Sequence, residues 1–135
     1  MKVLATATLS LLSVLGPLAT AGPTGYDCTV STELHLDHGE LKTFPRPLEL
    51  GKRFSVHRAS GLLVESSPSF WSPRDATTTV LAHGNFQNSF IATYVAPSGG
   101  GGVHATTLRI EEFAPSDEKP FLLVSGGGVY AGICK

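Results

Sequence analysis

Several absences narrow what this chain can be. Asparagine occurs only at Asn85 and Asn88, and neither opens an Asn-x-Ser/Thr triplet, so N-linked glycosylation is not expected. Charge is sparse: ten Lys+Arg against 11 Asp+Glu leave a formal −1, with no basic stripe. Phosphate neutralisation supplies most nucleic-acid affinity, so nucleic acid is not an expected partner. The lack of a polybasic cluster likewise removes the usual attraction to an anionic membrane surface. Past the N-terminal region no apolar run approaches the roughly 20 residues that a spanning helix needs. No C-x-x-C pair offers zinc spacing, and no G-x-S-x-G elbow marks a hydrolase nucleophile.

What is present begins with an export pattern. Lys2 supplies a positive start, and Val3 to Leu18 is apolar until Gly16 and Pro17 interrupt it. Ala19-Thr20-Ala21 is the small-x-small site that signal peptidase reads. Residues 1–21 are therefore expected to be removed, leaving one domain over 22–135 whose formal charge, without Lys2, is −2. The mature chain keeps both cysteines, Cys28 and Cys134. In an oxidising compartment an isolated pair most simply forms one bridge, here joining the two ends of the domain.

Between the cysteines the dominant period is two. "CTVSTELHL" alternates, with Val30, Thr32, Leu34 and Leu36 on one face and Thr29, Ser31, Glu33 and His35 on the other. "DHGE" is turn chemistry, and Pro45 and Pro47 confine the return stretch to an edge or loop. "RFSVHR" places Phe54 and Val56 inward, "ASG" turns into "LLVE", and "TTTVLA", "SFIATYV", "ATTLRIEEF", "FLLV" and "VYAGIC" follow as strands. Phe113 falls out of phase with Leu108 and Ile110, so a bulge near Glu111-Glu112 is expected. No mature window carries a helical stripe. The pattern predicts about eight short strands in an all-β, antiparallel, single-domain sandwich or barrel.

Candidate sites are few. Gly126-x-Gly128-x-x-Ala131 matches a dinucleotide fingerprint in form, but the chain stops four residues later and no helix can follow to hold a pyrophosphate. "SGGG" reads instead as a hairpin turn, and no cofactor is expected. His35, Asp37 and His38 match no strong ligand spacing, so no metal is expected. If the protein were a small hydrolase of the ribonuclease type, Glu111 would serve as base, His104 or His57 as acid, and Arg109 would hold the phosphate. The better candidate for contact is "SPSFWSPRD". Its prolines limit loop entropy, and Phe70, Trp71 and Arg74 are of the residue types that dominate binding energy.

The export signal, the Tyr26-x-Cys28 start, the terminal Cys134 and the string "GKRFSVHRASGLLV … SFIATYVAP … LRIEEFAPSDEKPFLLVSGGGVYAGIC" resemble small secreted proteins of filamentous ascomycete fungi. That resemblance implies a secreted effector with a virulence-associated, host-contact role. Export, small size, a stapled β fold and no assembled catalytic constellation lead to the expectation of a non-enzymatic effector that binds a host protein or cell-wall glycan, in the apoplast or inside host cells. A monomer is expected. Secreted fungal ribonucleases also carry a cysteine near each end, but they place a long helix where this chain has strands. A wall-associated structural protein is the remaining alternative.

Overall fold

The computed structural model describes residues 24–66 and 75–135. The expected export signal, residues 1–21, and the contact residues Phe70, Trp71 and Arg74 lie outside the described residues. In chain order the strands are β1 (Gly25–Asp37), β2 (Glu40–Thr43), β3 (Arg53–His57), β4 (Leu63–Glu65), β5 (Thr77–Asn85), β6 (Asn88–Pro97), β7 (Val103–Ile110), β8 (Lys119–Ser125) and β9 (Gly128–Cys134). The run Gly99–Gly101 forms one 3-10 turn between β6 and β7. Among the described residues no helix is long and apolar enough to cross a membrane.

The strands make one antiparallel sheet in the order β4-β3-β1-β9-β8-β7-β6-β5, with β2 paired to the far half of β1. The all-β antiparallel expectation holds, and it takes the barrel form as a curled, open half-barrel. Turn chemistry sets the hairpins. His38 and Gly39 both have positive φ (49° and 86°), the type I′ pattern that matches strand twist. Gly126 alone is positive (56°) in the two-residue turn between β8 and β9, so "SGGG" is a hairpin turn as expected.

Alternation builds the core. Phe54 and Val56, Phe121 and Leu123, Leu108 and Ile110, and Phe90 and Ala92 all point to one side and are buried. Each large apolar side chain removed from water stabilises the fold by roughly 1.5–3 kcal/mol. Cys28 and Cys134 face each other across β1 and β9 with Cα atoms 3.9 Å apart, bonded as expected over a separation of 106 residues. Asp27 and Lys135 next to them exchange two backbone hydrogen bonds of 2.9 Å, so the bridge sits on a closed ladder. A loop this long is worth about 4–5 kcal/mol in the chain-entropy treatment.

β4 and β5 end the sheet without pairing to each other, and side chains close that seam. The Tyr94 hydroxyl donates to Gly61 O at 2.7 Å. Arg58 donates to His83 O (2.9 Å) and Gly84 O (2.8 Å) and pairs with Glu112 at 2.8 Å. Burial pushes the Glu112 carboxyl above its ordinary value, with Lys119 pulling the other way, so this ion pair forms against a desolvation cost. Gly61 lies against β5 so closely that a Cβ there would come within 2.9 Å of Thr78 and Val80 side chains.

Two local expectations need correction. β7 ends at Ile110 rather than bulging at Glu111-Glu112, and Phe113 sits in the following turn, 43 % exposed. The larger change is in β1, where the register against β9 shifts between Val30 and Thr32. This bulge adds one unpaired residue, Ser31, and inverts the alternation after it. Glu33 is therefore buried and Leu36 is 59 % exposed, the reverse of the pattern read from the sequence. Gly132 makes the shift feasible, because a Cβ there would collide with Thr29 O.

Candidate functional site

Placed on the sheet, the four residues of the hydrolase expectation separate. Even-numbered residues of β7 face the core and odd-numbered ones face solvent. His104 is on the inner side, its Nε2 3.0 Å from Ser125 Oγ and 3.5 Å from Thr106 Oγ1. Arg109 is on the outer side; its Nε donates to Ser89 Oγ at 3.0 Å, and its terminal nitrogen lies 3.7 Å from Glu111 Oε1. His57 ends β3, four places from β7 in the sheet order, with Nδ1 2.9 Å from Ser60 Oγ. Arg109 and Glu111 come together on the outer side, with His104 on the other face of the sheet; His57, also outward, directly precedes the Arg58 that pairs with Glu112 across the seam.

Of the β1–β2 hairpin histidines, His38 is tied to Asp37, while the buried Nδ1 of His35 has no hydrogen-bond partner among the described residues. His38 Nδ1 lies 2.5 Å and Lys42 Nζ 2.7 Å from the Asp37 carboxylate. Lys42 first, then His38, hold that carboxyl below its usual range. Among the described residues no group of three or more His, Cys, Asp or Glu is arranged to hold a metal.

The bulge creates a polar row inside the barrel that the sequence did not announce. His35, Gly128, Ser125, Thr106 and Tyr94 stand opposite one another across β1, β9, β8, β7 and β6. Ser125 and Thr106 are buried and share a 2.8 Å hydrogen bond. Burial alone raises the Tyr94 phenol far above its ordinary value, so it stays a neutral donor to Gly61. In the neighbouring row the buried Glu33 accepts the Glu49 backbone N–H at 2.8 Å, and buried Glu49 pairs with Lys52 at 2.8 Å. The His35 ring packs on Phe44 with centroids 4.5 Å apart. These contacts hold the loop after β2 across the inner side of β1. Ser125 Oγ is buried and shared between His104 Nε2 and Thr106 Oγ1.

The accessible site lies on the other side, at the start of β1. Three adjoining hollows of about 330, 210 and 440 Å³ all include Asp27 in their walls. Together they form a groove over the outer faces of β4, β3, β1 and β9. Leu62 and Val64 make an apolar rim, 57 % and 58 % exposed. Ser55 donates to the Asp27 carboxylate on the floor. At the far end Lys135 bonds Glu118 at 2.9 Å, which raises its ammonium above the ordinary value. Arg53, between the rim and that pair, is exposed, and its guanidinium has no hydrogen bond or ion pair among the described residues. Nothing in the sequence singles out Arg53. It becomes visible only when β3 is seen beside β1 and β4.

No family model matches the chain, and neither a curated protein nor a solved structure matches it.

Proposed function

We infer that the chain is an exported, disulfide-stapled binding protein of the effector kind, acting by contact on a host extracellular protein. The groove at Asp27 carries this reading. It combines an exposed apolar rim, a hydrogen-bonded floor and an Arg53 guanidinium left free to pair. A free arginine beside accessible aliphatic side chains suits a protein segment that presents an acidic group next to apolar ones. A sugar ring would ask for an accessible aromatic platform, and among the described residues the aromatic side chains of the groove lining, Tyr26, Phe54 and His57, include two that are buried, Tyr26 and Phe54.

The test is retention of a host extracellular protein on the immobilised, disulfide-bonded chain, followed by its affinity for Arg53→Ala. Loss of an interface arginine contact should weaken binding by about tenfold or more, or at least ~1.4 kcal/mol. Unchanged retention by Arg53→Ala removes the groove from the contact. RNA turnover by the purified chain that disappears in Glu111→Gln would replace the reading with the hydrolase.

A further inference from the structure

The outward side chains of the groove form rows across the strands. β3 turns Arg53, Ser55 and His57 to solvent, while Phe54 and Val56 between them are buried. His57 stands opposite Gly25 of β1, which brings no side chain, and its N–H donates to Leu62 O at 2.8 Å on the other side. Ser55 stands between Val64 of β4 and Asp27 of β1, and Arg53 beside Thr29. Along β3 the chemistry therefore changes every second residue. The first row is apolar at Leu62 and opens into the hollow of about 330 Å³ that Val56 and Val64 also line. The second carries the Asp27 carboxylate, which accepts from Ser55 and is met by no cation among the described residues. The third carries the free Arg53 guanidinium.

We propose that the groove takes an extended peptide segment of the partner, lying along β3. At alternate positions that segment presents an apolar side chain to Leu62, a hydrogen-bond donor to Asp27 and a carboxylate to Arg53. This rests on the host-contact reading and supplies the form of the segment. Side chains on one face of an extended chain are about 6.8 Å apart, which is also the spacing of the rows on β3. Five extended residues thus cover the distance of about 14 Å from His57 to Arg53 and aim three side chains at the groove. A helix rises only about 1.5 Å per residue and docks through a continuous apolar stripe. Rows that change from apolar to anionic to cationic within that length interrupt such a stripe. Charge fixes the order. A carboxylate at the middle position faces Asp27, whereas one at the end forms a charge-assisted pair with Arg53. Lys135, at the far end of the groove, is held by Glu118 at 2.9 Å and does not compete for it. The spacing runs along a single strand, so the curl of the sheet between strands does not alter it.

NMR titration of the isotope-labelled, disulfide-bonded chain with short synthetic peptides tests this. The probes are Leu-Thr-Ser-Thr-Glu between Gly-Ser flanks, its reverse, and forms that bring Leu and Glu closer or set them further apart by two residues. Amide signals of Arg53, Ser55 and Val64 should shift with the first spacing, in one chain direction or the other. Its affinity should exceed that of both other spacings by at least about threefold. Arg53→Glu should weaken the glutamate peptide by at least about tenfold and make its lysine counterpart the tighter ligand. The Arg53 side chain is exposed and unpaired, and circular dichroism with thiol titration confirms that the variant keeps its fold and bridge. Absence of shifts at about 5 mM peptide overturns the proposal. So do affinities indifferent to spacing, or an Arg53→Glu chain that still prefers the glutamate peptide. If a host protein is retained by the wild type and lost by Arg53→Ala while the peptides show no spacing preference, the contact reading stands and the extended segment is overturned.

Discussion

Before Ser31, β1 sends Tyr26, Cys28 and Val30 into the core and leaves Asp27 and Thr29 in water; after it, Glu33 and His35 turn inward and Leu34 and Leu36 face out. The two halves share one backbone and one partner, β9, yet have opposite polarity patterns. A strand's side chains alternate with period two, so one extra residue is enough to exchange its faces. The consequences reach both surfaces. Inside, the apolar first half meets Phe54 and Phe121, and the second half supports the polar row and the carboxylate that ties down Glu49. Outside, the first half floors a polar groove with Asp27, and the second presents leucines.

The most severe way to break this contrast is Gly132→Val, whose side chain would collide with the Thr29 carbonyl oxygen at the bulge. If Ser31 is then forced into regular pairing, every later residue of β1 exchanges faces or the pairing with β9 slips, which buries Leu34 and Leu36 while expelling Glu33. The loss should be on the order of 5 kcal/mol, a large part of a domain's net stability, read as a fall in the urea midpoint or failure to fold. A chain of wild-type stability would show that the bulge is incidental.

A sharper comparison uses single substitutions on neighbouring sides of the second half. Glu33→Ala removes the acceptor of the buried Glu49 N–H and should cost about 1–3 kcal/mol. Leu36→Thr, on the exposed side, should stay within about 0.5 kcal/mol. Equal losses in urea unfolding would mean that Leu36 is packed rather than exposed.

The smallest effect is expected at Asp37, which ends β1 beside the type I′ turn. Its carboxyl is depressed below the ordinary 3.8 by Lys42 and His38. A carboxyl with a lowered folded-state value stabilises the fold above its ordinary value, and that contribution disappears as pH falls through the folded-state value. Asp37→Asn should therefore remove a small acid-sensitive part of the hairpin's stability and leave a flatter pH profile below about pH 4. Amide exchange of β2 against pH reads it. Identical profiles for the two chains would show that the Lys42 and His38 contacts do not persist in solution.

Much of the fold was legible. Phe54 and Val56 announced their strand by alternation, "FLLV" announced one as a short apolar run, the glycine-rich segments announced their turns, and two cysteines in a chain expected to be exported announced their bridge. These signals are local, or in the cysteines' case a matter of counting. The second half of β1 was not legible, because Glu33 and Leu36 fit an ordinary strand with either face inward. The condition that decides between them is Gly132, distant in sequence, where the missing side chain lets Thr29 approach. The groove escaped for a similar reason. Arg53, Asp27 and Lys135 are unremarkable charges until β3, β1 and β9 become neighbours.

By itself, then, the sequence determined the class of structure and its clasp: short antiparallel strands, tight turns at DHGE and SGGG, and an end-to-end disulfide. Period-two burial, turn conformations and the pairing of a lone cysteine couple depend on residues near one another or on residue counts. Tertiary structure alone decided which face of β1 is wet after Ser31, which charges share a groove, and that His104 and Arg109 point to opposite sides. Those outcomes depend on strand order, register and one bulge, which are set by packing between segments far apart along the chain.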